Sequence, residues 1–128
     1  MTLKLILAGM FFSLLSACVS PPEIKLNQNP KQVDAIELAQ YWIQDNDYFR
    51  MNIGPKKMPP KGTDGFVEIK YLIDSNGHVF NPEIVKSEPE GLWDYSGMKA
   101  LSKIKYKKAE SNVLAVPVYV TMRIEFRF

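Results

Sequence analysis

The chain has little of what most reactive sites are built from. Its 128 residues contain one cysteine, Cys18, and one histidine, His78. One thiol cannot form an intrachain disulfide framework, and a Cys/His zinc site lacks its ligands. Charge of one sign is also scarce. Sixteen Lys+Arg stand against 14 Asp+Glu, a formal net charge of +2. A dedicated nucleic-acid binder is normally far more basic, which argues against that class of partner. What the chain does have is a hydrophobic fraction of 46% with 12% aromatics. That is enough for the core of one domain, and it rules out a wholly disordered chain.

Residues 1–17 read as an export signal. Lys4 is a short positive region, residues 5–15 are uncharged and apolar, and the small Ser16 and Ala17 precede Cys18. The apolar stretch falls short of the about 20 residues that a membrane-spanning helix needs, so the layout is that of a secretory signal. The string Leu15-Ser16-Ala17-Cys18 resembles a bacterial lipobox. The resemblance implies that Cys18 becomes the first mature residue and is acylated, with palmitate among the chains. Two acyl chains anchor a protein stably where one does not. Val19, not Asp, follows the cysteine, and similarity to enterobacterial lipoproteins then favours the outer membrane over the inner. An ordinary signal peptide with a chance cysteine is the competing reading. Residues 18–31 include Pro21, Pro22 and Pro30. They read as a tether too polar to pack, reaching about 40 Å when fully extended at about 3.3 Å per residue.

The rest, residues 32–128, reads as one folded unit. Val33, Ile36, Ala39 or Gln40 and Ile43 recur at three- and four-residue steps, and Asp34 stands early in the run. This pattern predicts an N-terminal helix over residues 32–49. Gly54, Pro55, Pro59, Pro60 and Gly62 then break regular structure. From residue 65 the period changes to two. Val67, Ile69, Tyr71 and Ile73 alternate with Glu68, Lys70 and Leu72, which predicts a half-buried strand. Asn76-Gly77 predicts a hairpin into a second strand, where Pro82 demands an edge position or a bulge. A second helix is expected over residues 94–103, with Trp93, Gly97, Ala100, Leu101 and Ile104 on one face. The last segment alternates longest. Val116, Val118, Val120, Met122, Ile124, Phe126 and Phe128 are interleaved with Tyr119, Thr121, Arg123, Glu125 and Arg127. The predicted fold class is α+β. Its two layers are a three-stranded antiparallel sheet and a covering helix, with the N-terminal helix in addition.

Residues 65–128 resemble the C-terminal domain of the TonB energy-transducer family. The resemblance is carried by Gly65-Phe66-Val67-Glu68-Ile69-Lys70-Tyr71-Leu72-Ile73-Asp74, by Asn76-Gly77 and Val79, and by Ile84-Val85. It continues through Ser87-x-Pro89-x-Gly91, Trp93-Asp94, Ala100-Leu101, Ile104-Lys105-Tyr106 and the long final strand. It implies a β-augmentation module, in which the final strand is an open sheet edge that pairs with an extended peptide of an outer-membrane receptor. The residues placed on that edge are Val118, Tyr119, Val120, Thr121, Met122, Arg123, Ile124 and Glu125. A full transducer of this kind has a membrane helix and a long proline-rich span. Here a lipobox and a short tether take their place, so motor coupling by this chain alone is not expected.

The implied partners are an outer-membrane TonB-dependent receptor or envelope transport complex, and the membrane itself through the lipid anchor. Unpaired N–H and C=O groups on an edge strand form a template for another strand, which fits this role. Charged side chains on an edge strand also defend against aggregation. A structural envelope lipoprotein that self-associates as a homodimer through the last strand is the alternative. An enzyme is not expected. Asp64, Asp74, Glu83, Glu88, Glu90 and Asp94 fall mostly in turns or at helix starts, where carboxylates have ordinary capping roles. No cofactor or metal is implied.

Overall fold

The computed structural model describes residue 18 and residues 20–45 and 55–128. The expected export signal, residues 1–17, and the end of the expected N-terminal helix, residues 46–49, lie outside the described residues.

The alternation from residue 65 becomes strand β3, Gly65–Ile73. Its odd-numbered side chains Val67, Ile69, Tyr71 and Ile73 are all buried. The chain turns back through Asp74, whose Oδ1 accepts the N–H groups of Asn76 (3.0 Å) and His78 (2.9 Å). Gly77 completes the turn at φ +82°, a conformation that glycine enters without penalty. A Cβ there would also run into the Tyr106 carbonyl. Strand β4, Val79–Glu88, pairs antiparallel with β3. The register slips twice along β4, and Asn81 sits at φ +51° just before Pro82. Pro82 thus occupies an irregularity on an edge strand, as its missing N–H requires.

Helix α1, Asp94–Leu101, lies on the odd-numbered face of β3. Gly97 permits the approach, because a Cβ on it would sit 3.1 Å from the Val67 Cβ. Trp93, Ala100 and Leu101 are buried beneath it, and the Trp93 ring stacks on Phe126 at 4.8 Å. The final alternation forms β6, Val118–Phe126, which follows β3 in unbroken antiparallel register from Ile73↔Val118 to Gly65↔Phe126.

The fold class is α+β, as expected, but the sheet holds one strand more than predicted and is mixed. Among the described residues its order is β1-β6-β3-β4, where β1 is Lys31–Gln32 and runs parallel to β6. The predicted N-terminal helix is corrected over its described part. Residues 32–45 contain the end of β1, a short 3-10 helix at Glu37–Gln40, and strand β2 at Trp42–Gln44. Burial explains the difference. Val33, Leu38 and Trp42 enter the core, whereas Ile36 is 86% exposed and Ile43 is 44% exposed. The helical repeat in the sequence therefore mixed two surface isoleucines with the core residues. Asp34 Oδ1 accepts from the N–H groups of Ile36 and Glu37 and starts the 3-10 turn. Trp42 is then held by its Nε1 donating to the Val116 carbonyl at 2.8 Å. Strand β2 pairs antiparallel with β5, Tyr106–Lys108, in a separate two-stranded sheet.

Residues 25–31 are not a loose tether. Lys25 N–H donates to Asp74 Oδ2 (3.1 Å), and Ser75 N–H donates to the Lys25 carbonyl (2.8 Å). Asn27 donates from its N–H to Ser75 Oγ and from Nδ2 to the Leu114 carbonyl (2.7 Å). Polar side chains do not exclude docking when the bonds are largely made by backbone.

Candidate functional site

A sheet offers a partner strand its edges, and the two edges here are built differently. On β4 the two register slips and Pro82 interrupt the regular spacing of backbone groups. Bulges and prolines of this kind blunt an edge against pairing. On β6 the register is continuous.

The outer edge of β6 is partly taken. Lys31 N–H donates to the Pro117 carbonyl and Val33 N–H to the Tyr119 carbonyl, each at 2.9 Å. In register terms Lys31 lies against Val118 and Gln32 against Tyr119. Of the residues placed on the edge from sequence, Val118 and Tyr119 already have a strand beside them. Among the described residues the pairing stops at Tyr119. Backbone groups alternate in direction along a strand. The outward carbonyls of Pro117 and Tyr119 therefore put the N–H and C=O of Thr121, Arg123, Glu125 and Arg127 on the outer side. Those of Val120, Met122, Ile124 and Phe126 point to β3.

Side chains divide the same way. Val118 and Val120 are buried on the helix side, and Met122, Ile124 and Phe126 are partly buried there. The opposite side carries Tyr119, Thr121, Arg123 and Glu125, opposite Leu72, Lys70, Glu68 and Phe66 of β3. The Arg123 guanidinium lies 3.5 Å from the Phe66 ring centroid and bridges Glu68 (3.5 Å) and Glu125 (3.7 Å). Its stacking lays the side chain on the sheet face over Phe66. At the far end of β6, Asp64, Glu88, Glu125 and Arg127 surround a depression of about 610 Å³.

The covering strand β1 is slight. Lys31 and Gln32 are both exposed. The Lys31 ammonium is hydrogen-bonded to the Tyr41 hydroxyl, which holds its pKa above the ordinary lysine value. Gln32 Nε2 donates to the Tyr119 carbonyl at 3.2 Å. Two residues show no usable alternation, so nothing in the sequence marked this strand.

Of the carboxylates weighed as acids, two serve the backbone: Asp74, fully buried in the hairpin turn, and Asp64, which accepts the Phe128 N–H (3.1 Å). Glu88 pairs with Lys86 (3.6 Å), and Asp94 is the first residue of α1, with its Oδ1 buried and unpartnered among the described residues. His78 is exposed at the hairpin and gives its N–H to Asp74. Cys18 is exposed. Among the described residues no helix is long and apolar enough to cross a membrane.

A small two-layer domain with one blunted edge and one straight, half-open edge has the construction of a protein-interaction domain. The sequence model for the Gram-negative bacterial TonB protein C-terminal matches residues 55–128, and the chain belongs to that family. Among solved structures, the solution NMR structure of the Pseudomonas aeruginosa TonB C-terminal domain is similar at 21% identity. The match covers 58% of this chain and 84% of that one, with a TM-score of 0.44. No curated protein matches. Domains of this family are non-enzymatic interaction domains of the cell envelope that work with outer-membrane TonB-dependent receptors, and this chain is accordingly not an enzyme.

Proposed function

We propose that the chain is a periplasm-facing lipoprotein whose last strand captures an extended peptide of an outer-membrane receptor, as an accessory to TonB-dependent transport. The observation that carries this reading is the straight run of β6 beyond Tyr119, where the register is unbroken and the neighbour strand has ended. The docking residues are Thr121, Arg123 and Glu125, whose backbone groups face outward. Met122 and Ile124 offer apolar neighbours on one side of an added strand, and Arg123 and Glu125 offer charged ones on the other. Main-chain bonds would supply affinity and these flanking side chains selectivity.

The anchor belongs to the same reading. Acylation of Cys18 after removal of residues 1–17 would hold the domain at the membrane, with Val19 favouring the outer one. Mass spectrometry of the membrane-extracted protein tests this, and an unmodified thiol at Cys18 counts against it.

The test of capture is titration of the purified protein with N-terminal peptides of the host's receptors, followed by amide hydrogen exchange. Protection should appear at Thr121, Arg123 and Glu125 and not along β4. Failure of every peptide to bind removes the capture reading. A concentration-dependent dimer that protects the same three amides without peptide would establish self-association through the last strand instead.

A further inference from the structure

The segment leading to Cys18 leaves the domain at one end of the sheet, and that end is unlike the other. Docking of Lys25 on Asp74 and Ser75 fixes the chain from there on. Only residues 18–24 remain between the cysteine and the domain, a reach of about 23 Å at most. Pro22 already lies in a groove of about 500 Å³ together with Phe80, Met98, Leu101, Ile104 and Lys105. Beside it, Leu26 is 49% exposed, and on the loop bonded to Asn27 Val113 is 75% exposed and Leu114 69%. Lys103, Lys105 and Lys108 stand at the same end, Lys108 reaching the Val113 carbonyl at 3.5 Å. Acidic groups also stand here: Glu23 pairs with Lys25 and Asp45 with Lys107, Asp74 is buried in the turn, and Glu110 is exposed.

We infer that this hairpin end is a membrane-contact face, with Leu26, Val113, Leu114 and the Pro22–Lys105 groove set against a bilayer surface bearing anionic headgroups. The inference rests on the reading of Cys18 as the anchor. Exposed apolar tips with lysines around them suit the boundary between headgroups and acyl chains, where each part finds its own medium. Lysines near an anionic surface add attraction that fades with salt. The short leash favours this end over any other, because it cannot carry the opposite end to the bilayer without undocking. The nine residues of β3 set the two ends about 30 Å apart. The open half of β6 runs toward the far end, where Arg127 lies. The domain therefore presents its capture edge away from the membrane that holds it.

The experiment uses the full acylated chain reconstituted into vesicles of phosphatidylethanolamine and phosphatidylglycerol that carry a headgroup quencher. Acylation consumes Cys18, the one cysteine, so an introduced thiol is the only one to label. A fluorophore on Val113→Cys should be quenched at least about threefold more than one on Arg127→Cys, since contact quenching does not span about 30 Å. The difference should shrink when Lys105→Glu and Lys108→Glu are added, or at high salt. Both labelled positions are exposed, so neither substitution threatens the fold. Equal quenching at the two positions in protein that floats with the vesicles overturns the face assignment and leaves the anchor standing. Protein that does not float overturns the anchor, and the face assignment with it.

Discussion

Tyr71 and Tyr106 meet hydroxyl to hydroxyl at 2.6 Å inside the domain, one from the central strand and one from β5. Each satisfies the other, so the pair ties the small sheet to the large one by a bond that neither ring could do without. Burial pushes the Tyr71 hydroxyl pKa up strongly, with Tyr106 adding to the shift. Burial raises Tyr106 too, against a smaller opposing effect of its bond to Tyr71. The folded chain therefore keeps these protons after the unfolded chain has lost them. The contribution of the pair to stability is complete below about pH 10, the ordinary tyrosine value, and falls as pH rises above it. Urea denaturation followed from pH 8 upward should show that decline, and Tyr71→Phe/Tyr106→Phe should flatten it. Tyr71→Phe alone should cost about 1–3 kcal/mol by stranding the Tyr106 hydroxyl in the core. The double substitution should cost less than the sum of the two single ones, because no polar group is left alone.

The same alternation that hides these rings makes β6 a strand with two separable functions. Ile124 sends its N–H to β3, whereas Glu125 sends its N–H outward. Proline at 125 removes a donor that the domain does not use, and proline is tolerated on an edge with its N–H side free. Glu125→Pro should therefore leave the unfolding midpoint within a few degrees of the parent and weaken peptide capture about tenfold or more, at about 1.4 kcal/mol per lost decade. Ile124→Pro breaks a ladder bond inside the sheet and should cost about 3 kcal/mol of stability. Calorimetric titration beside thermal melts separates the two, and unchanged affinity in Glu125→Pro would sink the edge as the docking site. The period-two runs that make β3 and β6, the Asn-Gly hairpin and Pro82 could all be read from sequence, because each is decided by neighbours within a few residues. Gly97 could be read too, as a close approach of helix to sheet. Strands β1 and β2 could not. Gln32 finds its partner at Tyr119 and Trp42 at Lys108, and strands of two or three residues carry no period. The candidate edge was visible as a strand from Val118 to Glu125, but the cover over its first residues depends on that unseen pairing.

Those remote pairings give the whole molecule its polarity. The N-terminal segment crosses the hairpin end of the sheet, touching the β3–β4 turn at Asp74 and Ser75, the loop at Leu114, the approach to β6 at Pro117, and β6 itself at Tyr119. It converts a reach of about 40 Å into one of about 23 Å and covers the first part of the capture edge on the way. Asp74 is the fixed point, since it receives Lys25 on Oδ2 while Oδ1 holds the turn through Asn76 and His78. Asp74→Asn should divide these roles. The amide oxygen can still accept from Asn76 and His78, but the NH₂ group then faces the Lys25 N–H, donor against donor. The turn should persist while the Lys25 tie is lost at about 1–3 kcal/mol, equivalent to about tenfold or more faster hydrogen exchange at Ser75 and Asn27. Lys31 and Val33 should stay protected, because their acceptors are carbonyls of the last strand and its approach. If instead all four amides speed up together, the segment docks as one cooperative unit, and loss of its first contact would uncover the edge at Tyr119. Exchange unchanged at Ser75 and Asn27 would mean that Asp74 does not hold the segment at all.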